Sequence, residues 1–169
     1  MRMFKLEEEI LVPDKRFAAL YGVNALGISN ATIADHYRRI DGLSINPVAP
    51  LEVRTSFDRA RNVFIYAWFC YELLVVSELE AFGALELALK LRLLRSSQKV
   101  SSLGSLLRLA RQNRLLPPKV GATDQLDALL AIRNALAHGA LQVHTPEMSL
   151  TALLGCAEVI NLLYPKPED

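Results

Sequence analysis

One long stretch of the chain, residues 53–95, contains no proline and a single glycine, Gly83. Because proline and glycine are the residues that most readily interrupt a helix, such a stretch favours helix throughout. Large side chains recur in it at the spacing of one helix face. They are Phe57, Phe64, Trp68, Tyr71 and Val75. The stretch therefore predicts one very long helix or two helices joined by a kink, with this aromatic stripe in the core.

Three further helices are predicted after this stretch, each from a capping residue followed by an apolar stripe. The capping residues are Ser101 or Ser102, Thr123 or Asp124, and Thr145. Pro117-Pro118, Gly139 and Pro165 mark the ends. The predicted inward positions are Leu103, Leu106, Leu107 and Ala110, then Leu126, Leu129 and Leu130, then Leu150, Leu153, Leu154, Ala157 and Ile160. These patterns predict a helical bundle.

Residues 1–50 lack this regularity. A short strand or extended arm is predicted over residues 4–12, and a short helix over residues 32–40 with Asn30 as its cap. Asn-Pro-Val-Ala-Pro at residues 46–50 then interrupts helical geometry. We therefore predict an irregular N-terminal extension over residues 1–50 that packs on an all-α bundle over residues 51–169. The bundle should have about four to five helices, including one long, possibly kinked helix.

Composition places the chain among ordinary globular proteins, with 51% apolar residues and 19 basic against 18 acidic ones. Glu7, Glu8 and Glu9 stand where a signal peptide would be apolar, and Cys70 and Cys156 lie in apolar patterns typical of core residues. The most apolar run, residues 63–76, is shorter than the roughly 20 residues that cross a bilayer. We expect a cytoplasmic protein with no membrane partner. No metal-ligand spacing or phosphate loop is present, so no metal and no cofactor is expected.

Basic residues dominate one stretch, residues 90–123, which holds eight of them and no acidic residue. Lys90, Arg92, Arg95 and Lys99 fit the preference of cations for helix C-termini. Arg108, Arg111, Arg114 and Lys119 are not explained in that way, and they predict contact with an RNA backbone through their charge.

Residues 133–138 read Arg-Asn-Ala-Leu-Ala-His and hold the most chemically suggestive side chains of the chain. At about 100° per residue, Arg133 falls in the middle of the apolar stripe that Leu126 and Leu130 define. A guanidinium there requires an internal partner, with Glu72, Glu78 and Glu86 as candidates, or a cleft in which it meets phosphate. Arg133 and His138 are roughly 140° apart, so fraying at the helix end or a second subunit is needed to bring them to one ligand.

This segment resembles the HEPN superfamily, whose members carry arginine, four to six residues, and histidine, with a polar residue straight after the arginine. The resemblance covers about residues 53–163 and includes carboxylates at Glu78 and Glu86 on the long helix and a Leu-Gly-x-Leu-Leu type helix at residues 103–107. It implies a HEPN-like bundle, and in catalytic relatives a metal-independent endoribonuclease, of toxin or defence type, that works as a homodimer.

The resemblance also implies roles for individual residues. His138 would be the general base or acid for attack by the ribose 2′-hydroxyl on the adjacent phosphate, Arg133 would stabilise the phosphoryl charge, and Asn134 would position substrate or His138. His144 is most simply a loop residue, although it could serve as a second proton carrier. Some relatives pair with an antitoxin and have tyrosine two residues after the histidine, where this chain has Ala140, which puts that regulation in doubt. Other relatives keep the bundle but use it only for dimerisation or ligand binding. The alternative for this chain, a non-catalytic HEPN-like helical dimer that binds RNA or a protein partner, therefore stays open.

Overall fold

Six α-helices make up most of the protein in the computed structural model, which describes residues 4–17, 20–24, 27–93, 102–119, 121, 124–137 and 144–167. The helices are α1 Ile33–Asp41, α2 Leu51–Tyr66, α3 Leu73–Leu93, α4 Leu103–Gln112, α5 Gln125–Ala137 and α6 Pro146–Leu163. A 3-10 turn at Glu7–Glu9 and an antiparallel hairpin of β1, Tyr21–Asn24, with β2, Gly27–Asn30, precede them. The predicted helical bundle is confirmed at this level.

The long proline-free stretch forms two helices, α2 and α3, that fold back on each other. A tight turn follows α2, in which Trp68 N–H and Phe69 N–H donate to the carbonyl oxygens three residues earlier, at 3.2 and 3.0 Å. A salt bridge from Arg59 Nε to Glu80 Oε2, 2.8 Å long, then joins the two helices across the hairpin. Residues 63–76 therefore do not form one helix.

An aromatic cluster fills the corner between α2 and α3 and receives the N-terminal extension. Phe17 is 1% exposed, and its ring lies 4.8 Å from Trp68 and 5.1 Å from Tyr71, centroid to centroid. Next to it, Arg16 binds Asp14 and Glu72 and lies over the Tyr71 ring at 4.4 Å. The extension thus contributes to the hydrophobic core.

His36 of α1 is buried in the same cluster. Its Nε2–H donates to the carbonyl oxygen of Phe64 at 2.8 Å, and its ring stacks on the Phe64 ring at 4.5 Å. Burial lowers the pKa of His36 below its ordinary value of 6.5, because the apolar surroundings disfavour the charged imidazole. The folded protein therefore holds this histidine neutral.

Replacement His36→Phe is expected to flatten the pH dependence of stability. In the wild type, His36 binds a proton more readily in the unfolded chain than in the folded protein. The contribution of the neutral, buried His36 to the free energy of unfolding is therefore fully present above pH 6.5. It is lost as the pH falls below 6.5, by up to about 1.4 kcal/mol per pH unit. Asp14, whose pKa the bound Arg16 lowers to about 2, acts only below its ordinary value of 3.8. Urea unfolding of both proteins between pH 4 and 7.5 measures the difference, and identical slopes would contradict a neutral, buried His36.

The central helix of the bundle is α3, which contacts α2, α4, α5 and α6. Its apolar residues are distributed around the helix, as expected where neighbours cover several faces. α6 is long and apolar enough to cross a membrane, the single such helix in the described residues, and 56% of it is buried inside the bundle. Packing in the core accounts for its composition.

Several local predictions are confirmed and others are wrong. Ser102 and Thr145 cap α4 and α6 as predicted, whereas the cap of α1 is Thr32 and not Asn30. Residues 4–12 form no strand but contain the 3-10 turn, and the strands lie instead at Tyr21–Asn24 and Gly27–Asn30, where the sequence predicted no strand. Leu154, predicted inward, is 45% exposed. The hairpin strands are too short to show a clear alternation.

Candidate functional site

Arg133 lies in the second half of α5 and faces α3. Its Nη2 donates to Glu86 Oε1 at 3.2 Å, longer than the roughly 2.7–2.9 Å of a strong charge-assisted bond. The Arg133 side chain is 35% exposed and that of Glu86 is 20% exposed. A guanidinium has five N–H donors, and within the described residues Glu86 is its one hydrogen-bond partner. Arg133 therefore has an internal partner and still has donors for an anion.

The other two carboxylates predicted as partners for Arg133 have different roles. Glu72 binds Arg16 at 2.7 Å and so anchors the N-terminal extension. Glu78, fully buried on α3, accepts hydrogen bonds from His144 Nδ1–H, 2.9 Å from both carboxylate oxygens, and from Ser149 Oγ–H. Each of the three carboxylates thus holds a different part of the chain.

The Glu78, His144 and Ser149 side chains form a buried polar cluster that the sequence reading missed. His144 lies in the loop before α6, as predicted, but its side chain is buried, with 5% exposed. It stands directly before Thr145, and its bond to Glu78 ties the beginning of α6 to α3. One signal was available, because Glu78 lies on the helix face of Leu74, Ala81 and Leu85, where a carboxylate requires a polar partner.

One cavity of about 260 Å³ between α4 and α5 brings part of the predicted site together. Arg133 and Asn134 line it from α5, and Arg108 lines it from α4. The remaining wall is Leu130 and the first turn of α4, Ser102 to Ser105. Two arginines from different helices therefore line one small space, and arginine is the residue type that best binds a phosphate group.

The first turn of α4 adds partial positive charge to this cavity. Ser102 Oγ accepts from Ser105 N–H at 3.3 Å, whereas the N–H groups at the very start of a helix have no partner within it. The aligned peptide dipoles also favour negative charge at this end of α4. The helix end reinforces the effect of the two arginines.

A second cavity of about 240 Å³ adjoins the first, because Gly104, Arg108 and Leu130 line both. Leu107, Arg111, Leu126 and Asp127 complete its wall. At the junction the helices approach closely, since a Cβ on Gly104 would come within 3.1 Å of Leu130 Cδ2. We call the two spaces together the α4–α5 groove. Arg133 and Asn134 line one end, Arg111, Asp127 and the buried Leu107 and Leu126 line the other, and Arg108 borders both.

The four basic residues predicted to bind RNA occupy unlike surroundings. Arg111 is bound to Asp124, and Lys119 Nζ lies 2.8 Å from Asp127 Oδ2. Arg114 is exposed just beyond α4, at a positive φ of 56°. Arg108 is exposed and is the one member of this group that lines the cavity of Arg133. The acid-free sequence stretch is partly neutralised in space by Asp124 and Asp127, which follow it in the chain.

His138 follows Ala137, the last residue of α5, and lies outside the described residues, as do Gly139 and Ala140. Arg95 and Lys99 of the basic stretch also lie outside them. Asn134 is exposed at the cavity. Asp124, one of the two predicted caps, starts α5 by accepting from Leu126 N–H and Asp127 N–H, both at 3.1 Å. The arginine and asparagine of the motif thus line one cavity, five and four residues before His138 in the sequence.

Comparisons of this chain with protein-family models, with curated proteins and with solved structures find no match.

Proposed function

We propose that the protein is a metal-independent endoribonuclease of toxin or defence type that acts as a homodimer. One observation carries the proposal: Arg133 and Asn134 line the same cavity as Arg108 of α4. The resemblance of residues 133–138 to the HEPN motif supplies the reaction. A cavity bordered by two arginines provides what the phosphate of such a substrate requires.

In the proposed reaction the ribose 2′-hydroxyl attacks the adjacent phosphorus, and the bond to the 5′-oxygen of the next nucleotide breaks. His138 takes the proton of the 2′-hydroxyl or gives one to the leaving 5′-oxygen, since imidazole titrates near neutral pH. Arg133 stabilises the charge on the phosphoryl oxygens, and Asn134 positions the substrate or His138. The products end in a 2′,3′-cyclic phosphate and a 5′-hydroxyl.

Helix geometry supports the homodimer that the resemblance implies. On a regular helix Arg133 and His138 point roughly 140° apart, so one straight helix does not direct both at a single phosphate. A second copy of the motif, facing the first across a two-fold axis, would supply the missing group. We propose this composite arrangement for the active form.

A second candidate function is a non-catalytic helical dimer that binds RNA or a protein partner. The bond between Arg133 and Glu86 favours it, because a guanidinium that is paired within its own bundle can have a purely structural role. An antitoxin is one such partner, although Ala140 stands where the antitoxin-paired branch of the resembling family has tyrosine.

A cleavage assay with purified protein and RNA in excess chelator tests the nuclease proposal. The wild type is expected to cleave without added metal, to leave 2′,3′-cyclic phosphate ends, and to spare an all-deoxy copy of the substrate. His138→Ala is expected to lower the rate by about 10²- to 10⁴-fold, the usual contribution of general acid–base catalysis.

The control is the thermal unfolding curve of His138→Ala, which should match the wild type. Cleavage of the all-deoxy strand, or full activity in the folded His138→Ala variant, would contradict the mechanism. Concentration-dependent mass measurements of the wild type report the dimer independently of activity.

A further inference from the structure

We infer that the second cavity of the α4–α5 groove is a base subsite that selects guanine. The inference rests on the proposed function, since it names the nucleotide that the ribonuclease would take beside the phosphate at Arg133. It is carried by the residues that line the second cavity. They include three leucines, the carboxylate of Asp127, and two arginines, Arg108 and Arg111, of which Arg111 is bound to Asp124.

The floor of the second cavity suits the flat face of a nucleobase. Leu107 and Leu126 are 4% and 7% exposed, and Leu130 completes the apolar surface. Arg108 borders the cavity and is exposed, so its planar guanidinium can stack on a base from the opposite side. A base between an apolar floor and a guanidinium is a common way to bind single-stranded RNA.

Asp127 supplies the selective contact. Its Oδ2 binds Lys119 Nζ at 2.8 Å and accepts from Asp124 N–H at 3.3 Å. Within the described part of the chain Oδ1 accepts no hydrogen bond. The hydrogen bond from Lys119 also lowers the pKa of Asp127 below its ordinary value, so the carboxylate is charged at neutral pH.

A carboxylate oxygen accepts N–H groups from a base edge and cannot donate. Guanine presents two adjacent donors, its imino N–H and its amino group, whereas adenine and cytosine present an amino group beside an acceptor and uracil presents a single imino N–H. Asp127 therefore matches guanine best and uracil poorly. Because Arg108 borders both cavities, one nucleotide can place its base against Leu126 and its phosphate near Arg133.

The size of the groove agrees with a nucleotide. Each cavity alone, at about 260 and 240 Å³, falls below the roughly 300–1,000 Å³ of sites that take whole small ligands, and the adjoining pair falls within that range. Gly104 allows α4 and α5 to approach closely at the junction, since a Cβ there would come within 3.1 Å of Leu130 Cδ2.

Binding of the four nucleoside 5′-monophosphates, measured by calorimetry or by NMR titration, tests the subsite without any cleavage. The wild type is expected to bind the guanosine nucleotide about 10-fold more tightly than the uridine nucleotide, the discrimination that one good pair of hydrogen bonds gives. Asp127→Asn should abolish the preference. Asp58→Asn, on the exposed side of α2 in an ion pair with Arg61, is the matched control and should retain it.

Equal binding or no binding of the four nucleotides to the wild type, or a guanine preference that survives Asp127→Asn, would overturn the inference. Mapping of the RNA cleavage sites distinguishes failure of the guanine subsite from failure of the proposed ribonuclease function. Cleavage of RNA without preference for guanine would contradict the guanine subsite and support the proposed nuclease. If the protein binds the guanosine nucleotide preferentially but does not cleave RNA, the result would support the guanine subsite and contradict the proposed nuclease.

Discussion

Replacement Arg133→Ala is expected to lower the rate of RNA cleavage by about 100-fold or more, with little loss of stability. The rate effect follows from the loss of a donor to the charge that develops on the phosphoryl oxygens. The stability effect should stay within about 1 kcal/mol, because the bond to Glu86 is long and Arg133 is 35% exposed. Single-turnover cleavage and urea unfolding measure the two quantities.

Glu86→Gln is the variant that separates the two roles of Arg133. It removes the charge of the internal partner and leaves the arginine in place, so cleavage should persist if Arg133 acts on phosphate. If Arg133 has only a structural role, Arg133→Ala and Glu86→Gln should reduce stability equally, and any change in cleavage should follow the fraction of folded protein. That result would favour the non-catalytic alternative.

Arg133→Lys gives a further comparison, since lysine keeps the charge but not the planar pair of donors. A rate between those of wild type and Arg133→Ala is expected. Arg38→Ala is the matched control, because Arg38 is 66% exposed and its ion pair is with Asp35 on its own helix, α1. It should leave both cleavage and stability close to wild type.

Replacement Glu78→Ala is expected to have the largest effect on stability, about 2–6 kcal/mol, because two buried donors lose their acceptor and each costs roughly 1–3 kcal/mol. Glu78 is fully buried, and its loss leaves His144 Nδ1–H and Ser149 Oγ–H without their acceptor in a site that excludes water. Urea unfolding followed by circular dichroism measures the change.

Two variants on the same helix sharpen this prediction. Glu78→Gln retains a side-chain oxygen that can accept from one of the two donors. It should therefore lower the free energy of unfolding less than Glu78→Ala does. Glu80→Ala breaks the exposed salt bridge to Arg59 and should lower the free energy of unfolding by no more than about 1 kcal/mol. A Glu78→Ala protein as stable as Glu80→Ala would show that the buried cluster contributes nothing to stability.

Features with local causes could be predicted from the sequence. Ser102, Asp124 and Thr145 each satisfy N–H groups within three residues of themselves, so their capping roles depend on little beyond the neighbouring chain. The break between α2 and α3 was harder to locate, because neither proline nor glycine marks it. The burial of Trp68 and Tyr71 at the corner depends on Phe17, which is far away in sequence.

Which charged side chains pair with each other depends on how the helices are rotated against each other, so these pairs could not be predicted from the sequence alone. The sequence narrowed the partner of Arg133 to three carboxylates, and only the packing of α5 on α3 selects Glu86. In the same way, Asp124 and Asp127 neutralise Arg111 and Lys119 because α5 packs beside α4. A charge pattern read along the chain misses such pairs.

The two carboxylates on α3 also determine which changes of length the chain can accept. Glu78 and Glu86 lie eight residues apart on one helix, about 12 Å along its axis, and hold His144 before α6 and Arg133 on α5. Inserting or deleting one residue between them would turn one carboxylate about 100° away from its partner. Natural variants of this protein should therefore keep α3 at constant length between these positions and change length in the connections between helices.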